Sequence, residues 1–164
     1  INELNYFKKY MLRGQLMSTS GFRFSDETKI LKKELKKLGK IKLIIANVSN
    51  DWRKYGVHML DVIDELGFLK VKKIQKIKSK YPSFILLNNK KVNIIINCLG
   101  KNSPLYNISI IGSNGKFEID FKDNFVSFKN TLTKFFDMVR NKKICIPPER
   151  TINVMKIIKH GLTL

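Results

Sequence analysis

From Phe68 to Phe121 the sequence is a series of short, strand-length apolar runs, each closed by turn-forming residues, and this block constrains the fold more than any other feature. Leu69/Val71 and Ile74/Lys76 alternate with polar neighbours, and Ser83–Leu87, Val92–Leu99, Tyr106–Ile111 and Lys116–Phe121 follow as further strands. Asn88-Asn89 is expected to close a two-residue hairpin, because Asn tolerates the positive φ such turns require, and Asn114-Gly115 to close a second. Strands joined by turns this short pair antiparallel.

Helical patterns flank the block. Leu4, Phe7 and Tyr10 fit a short amphipathic helix stopped at Gly14, and Gln15–Ser20 reads as a short strand. Ser25-Asp-Glu-Thr28 offers a cap with acidic residues in the first turn of a helix whose apolar face is Ile30, Leu31, Leu35 and Leu38, ending at Gly39. Lys42–Val48 is a strand, and Lys54–Leu66 a helix closed by Gly67. After the strands, Phe125, Phe128, Leu132, Phe135 and Val139 recur at 3, 4, 3, 4, an apolar stripe expected to face the core. Pro147-Pro148-Glu149 opens the last helix. Runs of strands between helices, without strict alternation, give an α+β fold: a mixed, mainly antiparallel open-faced sheet with helices packed on one face. The other face needs cover, and a homo-oligomer formed through it is expected.

The 164 residues form one domain by length. A net charge of +19 invites a nucleic-acid partner. The lysines, however, are spread along the chain, arginines number only five, and no helix-turn-helix, RNP or zinc motif occurs, so no specific nucleic acid is expected. A basic nucleic-acid-binding module and a non-catalytic oligomerisation domain stay as alternatives. Cys98 and Cys145 lie in apolar runs and read as buried reduced thiols, with no metal site. No apolar run approaches the ~20 residues of a membrane span, so the expectation is a cytoplasmic protein without a membrane partner. Translation does not initiate at isoleucine, and Ile1 raises the expectation of a longer parent polypeptide.

The densest chemistry is Asp51–Asp61. At 100° per residue, Lys54, His58, Asp61 and Glu65 share a helix face, opposite Met59, Leu60, Ile63 and Leu66. An imidazole one turn from a cation and a carboxylate is a workable general acid/base: Asp61 would orient the ring or raise its basicity, and Lys54 would lower its pKa and polarise an oxygen. A solvated helix face has the same composition and is the competing reading. Arg23, between Phe22 and Phe24, has a guanidinium suited to a phosphate or carboxylate, against the alternative of a stacked surface arginine.

Taken in order, residues 17–24 (MSTSGFRF), 38–41 (LGKI), Asp51-Trp52 with Tyr55-Gly-Val-His58, 111–119 (IGSNGKFEI), 135–143 (FFDMVRNKK), Pro147-Pro148-Glu149 and Val154–Gly161 resemble the C-terminal half of the glucose-fructose oxidoreductase/inositol dehydrogenase (Gfo/Idh/MocA) family. The resemblance implies that residues 1–20 are the end of an NAD(P)-binding Rossmann domain and 21–164 a C-terminal substrate-binding and oligomerisation domain. It implies an oxidoreductase acting on a sugar, polyol or related hydroxy compound, inactive without the upstream domain. The glycine-rich dinucleotide fingerprint and the family's catalytic lysine do not occur in this sequence, so NAD or NADP belongs to the longer protein, with none bound by this chain alone. The family histidine corresponds to His58, and Lys54 stands where many members carry aspartate. The resemblance implies catalytic roles for His58 and Lys54. It implies substrate contacts from Arg23, Trp52, Tyr55 and Asp61, and cofactor contacts from Ser20 and Arg23.

Overall fold

The computed structural model describes residues 2–103 and 105–164. Helix α1 (Asn2–Leu12) leads through an extended segment to a short 3-10 helix (Gly21–Phe24) and α2 (Asp26–Leu35). Strand β1 (Ile41–Val48), α3 (Trp52–Glu65), β2 (Val71–Ile77), β3 (Ser83–Asn88), β4 (Asn93–Cys98), β5 (Asn107–Gly112), β6 (Gly115–Asp120), α4 (Asn124–Asn141) and α5 (Pro148–Thr163) complete the chain. The strands form one sheet in the order β2-β3-β4-β1-β5-β6. Only the β1–β4 pair is parallel, because α3, β2 and β3 intervene between them in the chain. The architecture is the α+β fold expected, with a mixed, mostly antiparallel sheet.

Period-2 alternation divides each strand between two faces. Ile44, Ala46 and Val48 of β1 and Ile94, Ile96 and Cys98 of β4 point into the core, where they meet Met59, Leu60 and Ile63 of α3. Helix α3 starts where the Asp51 carboxylate accepts the Lys54 N–H at 3.0 Å, and it stops at Gly67, whose φ of 81° an L side chain resists. Leu43, Ile45, Ile85, Leu87 and Ile95 lie on the opposite face, half-buried and outside the core.

Three expectations need correction. Gln15–Ser20 pairs with no strand; its polar groups bond to α3 side chains instead. The Asn88-Asn89 turn is longer than two residues: Asn88 ends β3, and its side-chain carbonyl accepts the N–H groups of Lys90 and Val92, both at 2.9 Å, while Lys91 takes the positive φ. The α4 stripe faces outward, with Phe125 76% and Phe128 59% exposed. The helix packs on the 3-10 helix through its other side, where Ser127 lies beside Gly21 and Asn130 Nδ2 donates to Phe24 O at 3.0 Å. The second hairpin forms, with Gly112 paired to Gly115 and Ser113-Asn114 as its turn.

This hairpin is latched to the end of α2. Asn114 N donates to Leu38 O at 3.1 Å and Ser113 N to Lys40 O at 3.0 Å. The approach leaves no room at Gly112, where a Cβ would stand 2.0 Å from the Leu38 carbonyl oxygen. Gly112→Ala is expected to destabilise the fold by about 3 kcal/mol through overpacking against backbone, read as a lower midpoint in urea with an unchanged m-value. A midpoint equal to wild type would show that the latch opens without cost.

Candidate active site

The site lies where the 3-10 helix crosses α3. Ser20 caps the 3-10 helix by accepting the Phe22 N–H at 3.2 Å, and its Oγ lies 2.8 Å from Nδ1 of His58. One turn along α3, Asp61 accepts hydrogen bonds from the Ser20 N–H, from Thr19 Oγ1 at 3.0 Å and from Arg23 Nη2 at 2.6 Å. The imidazole is walled by aromatic rings: Phe22, Tyr55 and Tyr106 have centroids 5.4, 5.7 and 5.7 Å away. The cavity in front, about 340 Å³, is completed by Gly21, Asn124, Ser127 and Phe128. Nδ1 is engaged by Ser20, which leaves Nε2 as the ring nitrogen without a hydrogen-bond partner among the described residues.

Beneath this pocket is an ion network. Arg23 is 2% exposed, and its Nε donates to Thr19 Oγ1 at 3.0 Å and its Nη1 to Asp64 at 2.7 Å and Glu65 at 3.2 Å. Arg150 of α5 reaches the same two carboxylates, Nε to Asp64 and Nη2 to Glu65, each at 2.7 Å, and Lys32 pairs with Glu65. The network pins the Thr19–Phe24 segment to α3 and thereby fixes Ser20 against His58. Burial opposes the charge of Arg23, but Asp61 and Asp64 outweigh it and hold its pKa above the ordinary value. Burial also opposes ionisation of Glu65, yet hydrogen bonds from Lys32 and Arg150 hold its carboxyl below the usual range.

These positions revise several expected roles. Asp61 is buried, which removes the reading of its face as solvated. The guanidinium of Arg23 is committed to Thr19, Asp61, Asp64 and Glu65 and is neither a stacked surface group nor free to take a ligand phosphate. Trp52 is buried away from the cavity, stacked on Phe84 at 4.0 Å with its indole N–H donating to Ile158 O at 3.0 Å. Lys54 is exposed on the first turn of α3 and does not line the cavity. The His58 pKa is lowered by burial, against an upward pull from Asp61, and not by Lys54. Tyr55 and Ser20 line the cavity beside His58. Sequence reasoning missed Tyr106, Asn124, Ser127 and Phe128 as cavity residues, and also Asp64 and Arg150, which join Glu65 in a cluster whose one signal is three carboxylates at positions 61, 64 and 65 of a single helix.

Two larger clefts, about 750 and 500 Å³, flank the ion network away from His58. Cys145 lines the smaller one, and burial pushes its thiol pKa up, away from the thiolate a nucleophile needs. Cys98 is buried in the core between the sheet and the helices, with its pKa pushed up to about 12, chiefly by burial. Among the described residues no group of three His, Cys, Asp or Glu side chains is placed to hold a metal ion, and no helix is long and apolar enough to cross a membrane.

The pKa shifts set a pH dependence. His58 titrates below 6.5 in the folded chain, so the unfolded state binds the proton first as pH falls, and stability declines from about 6.5 downward. Glu65, held below 4.5, adds a second decline under that pH for the same reason. Thermal midpoints by circular dichroism are expected to fall in both windows, and His58→Gln to remove the upper decline. A flat profile between pH 7 and 5 would contradict a buried neutral imidazole.

No protein-family model matches the sequence, and no curated protein matches it significantly. The fold has close counterparts among solved structures. Myo-inositol 2-dehydrogenase from Lactobacillus plantarum superposes with a TM-score of 0.83 at 15% identity, over 99% of this chain and 67% of its own. Scyllo-inositol dehydrogenase from Lactobacillus casei, solved with NAD(H) and scyllo-inositol, gives 0.74 at 15% identity over 99% and 66%. A probable dehydrogenase from Thermotoga maritima gives 0.66 at 13% identity over 87% and 60%. The chain thus spans about two thirds of the length of the first two. Over nearly all of its length, this chain shares the α+β fold of these inositol dehydrogenase structures.

Proposed function

We propose that this chain is the substrate-binding and proton-transferring part of an NAD(P)-dependent oxidoreductase that acts on a sugar, polyol or related hydroxy compound. The observation that carries the reading is His58, held at Nδ1 by Ser20 and lining an aromatic-walled cavity, in a fold shared with inositol dehydrogenase structures. Tyr55, Tyr106, Asn124 and Ser127 bring polar groups to a cavity within the size range of small-molecule sites. Bound NAD(P) would supply the hydride acceptor. This chain's residues would orient the hydroxyl-bearing carbon and move the hydroxyl proton at Nε2.

In this reading residues 1–20 are the end of a nucleotide-binding Rossmann domain and 21–164 the substrate and oligomerisation domain, and the 164-residue chain alone neither binds NAD(P) nor turns over. The outward α4 stripe supports a further protein surface at the cavity mouth, since Phe128 belongs to both. A second copy of the chain is the partner for the open sheet face. NMR of the chain with scyllo-inositol, myo-inositol and NAD+ tests the reading. Polyol is expected to perturb the His58 and Tyr106 ring signals, and NAD+ to leave the spectrum unchanged. Tight NAD+ binding, or His58 indifferent to every polyol tried, would overturn it.

A further inference from the structure

Lysine occurs throughout the chain, but the carboxylates that would offset it do not. No acidic residue lies between Glu65 and Glu118, and none follows Glu149. In the first of these stretches Lys70, Lys72, Lys73, Lys76, Lys78 and Lys80 fall on or beside β2, an edge strand that pairs only with β3. All but Lys76 are exposed. The lysines in ion pairs among the described residues are Lys8, Lys29, Lys32, Lys37, Lys116 and Lys122, so none of the β2 set is neutralised.

Local structure gathers these cations. Strand β2 shifts register between Val71 and Lys73, and both Lys72 and Lys73 line a groove of about 180 Å³ between β2 and α5, where regular alternation would send consecutive side chains to opposite faces. Helix α5 adds Asn153, Lys156 and His160 to the opposite wall. Past the other end of β2, Tyr81 is 49% exposed, with Lys80 Nζ 5.3 Å from its ring centroid. The ring is seated against Gly100, where a Cβ would stand 2.9 Å from Cε1 of the tyrosine.

We propose that this edge binds single-stranded nucleic acid without sequence preference, its phosphates following the β2 lysines and one base stacking on Tyr81. The inference is independent of the His58 site and of the oxidoreductase reading. A cationic groove beside an exposed aromatic ring suits a single strand, because every base has a π-face and every nucleotide a charge. A duplex has its bases already stacked and leaves Tyr81 unused. A peptide that added a strand to β2 would have to pair with its backbone, which the bulge and the edge lysines both oppose. A lipid surface is flat and does not enter the groove in which Lys72 and Lys156 stand.

Fluorescence anisotropy of labelled oligo(dT) with the 164-residue chain is expected to show binding whose affinity falls steeply between about 50 and 200 mM salt. Lys72→Gln, Lys73→Gln and Lys78→Gln together remove three phosphate contacts from exposed positions. At ~0.7 per contact for a single strand, the slope of log K against log salt is expected to shrink by about 2, and affinity near ~0.1 M salt to fall by about 10- to 100-fold. Lys33→Gln, Lys36→Gln and Lys40→Gln together remove the same charge from exposed positions around the end of α2, and are expected to leave the slope unchanged. Tyr81→Leu keeps an apolar side chain over Gly100 and is expected to weaken binding by about 5-fold or more with the slope intact, since stacking carries no charge. Equal losses in the two lysine variants would show attraction by net charge alone and overturn the site. So would an absence of binding at the lowest salt, or binding to phosphatidylserine vesicles with oligo(dT) ignored. A Tyr81→Leu affinity equal to wild type would overturn the stacking assignment.

Discussion

Arg23→Met is expected to lower the thermal midpoint by roughly 6–20 °C, from the ~3–5 kcal/mol cost of stranding a buried ionic partner and about 2–4 °C per kcal/mol at this chain length. The guanidinium bonds at once to Thr19, Asp61, Asp64 and Glu65. Asp64 and Glu65 keep Arg150 after the substitution, but Asp61, itself 2% exposed, keeps only neutral donors. The loss is therefore concentrated on Asp61, and Arg23→Met with Asp61→Asn is expected to recover part of it. Arg23→Lys is expected to fall between, because an ammonium cannot span the fork from Thr19 to Asp64. Thermal denaturation of the three variants by circular dichroism checks the order, and a midpoint for Arg23→Met within 2 °C of wild type would refute the ionic clamp.

The same cluster shows what was legible in the sequence. Strands β1–β6, the β5–β6 hairpin and helix α3 are written locally, in short apolar runs, Ser-Asn-Gly turn chemistry and the Gly67 stop, and they form close to where the pattern places them, whereas the strand expected at Gln15–Ser20 does not form. Helical periodicity also put Asp61 on the His58 face. It could not show that the Thr19–Phe24 segment, some forty residues upstream, would cover that face and bury the carboxylate. The α4 stripe fails for a related reason: a 3-4 repeat states which residues share a face, not what lies opposite it. Ser127, Asn130 and Met138, an unremarkable set in sequence, mark the side of α4 that packs. Trp52 beside Tyr55 and His58 suggested a shared site, yet the first turn of α3 aims it at Phe84 and α5. Asn47, Asn97 and Asn107 stand level across β1, β4 and β5 and are joined side chain to side chain, an arrangement visible only with the register that aligns them.

In a polypeptide that joins this fold to a nucleotide-binding domain, His58→Gln is expected to lower kcat for polyol oxidation by about 10²–10⁴-fold, the range for removing a general acid–base group, with NAD(P) affinity unchanged. Glutamine keeps the shape and a hydrogen bond but cannot carry the proton. Burial keeps His58 neutral at pH 7, so the ring meets an alcohol as an acceptor when Nδ1–H donates to Ser20 Oγ. Once Nε2 takes the substrate proton, the Asp61 carboxylate, which holds the Ser20 backbone N–H, steadies the positive ring electrostatically. Ser20 touches the ring and not the substrate in this scheme, so it is a positioning residue. Ser20→Ala is expected to lower kcat more than it changes KM, by less than His58→Gln does, while also losing about 1 kcal/mol of stability with the cap. Steady-state kinetics across pH separates the two roles: His58→Gln removes the acidic limb of the kcat profile, and Ser20→Ala shifts that limb without removing it. A Ser20→Ala profile that overlays wild type would mean that the 2.8 Å contact orients nothing, and an intact acidic limb in His58→Gln would place the proton acceptor on another residue.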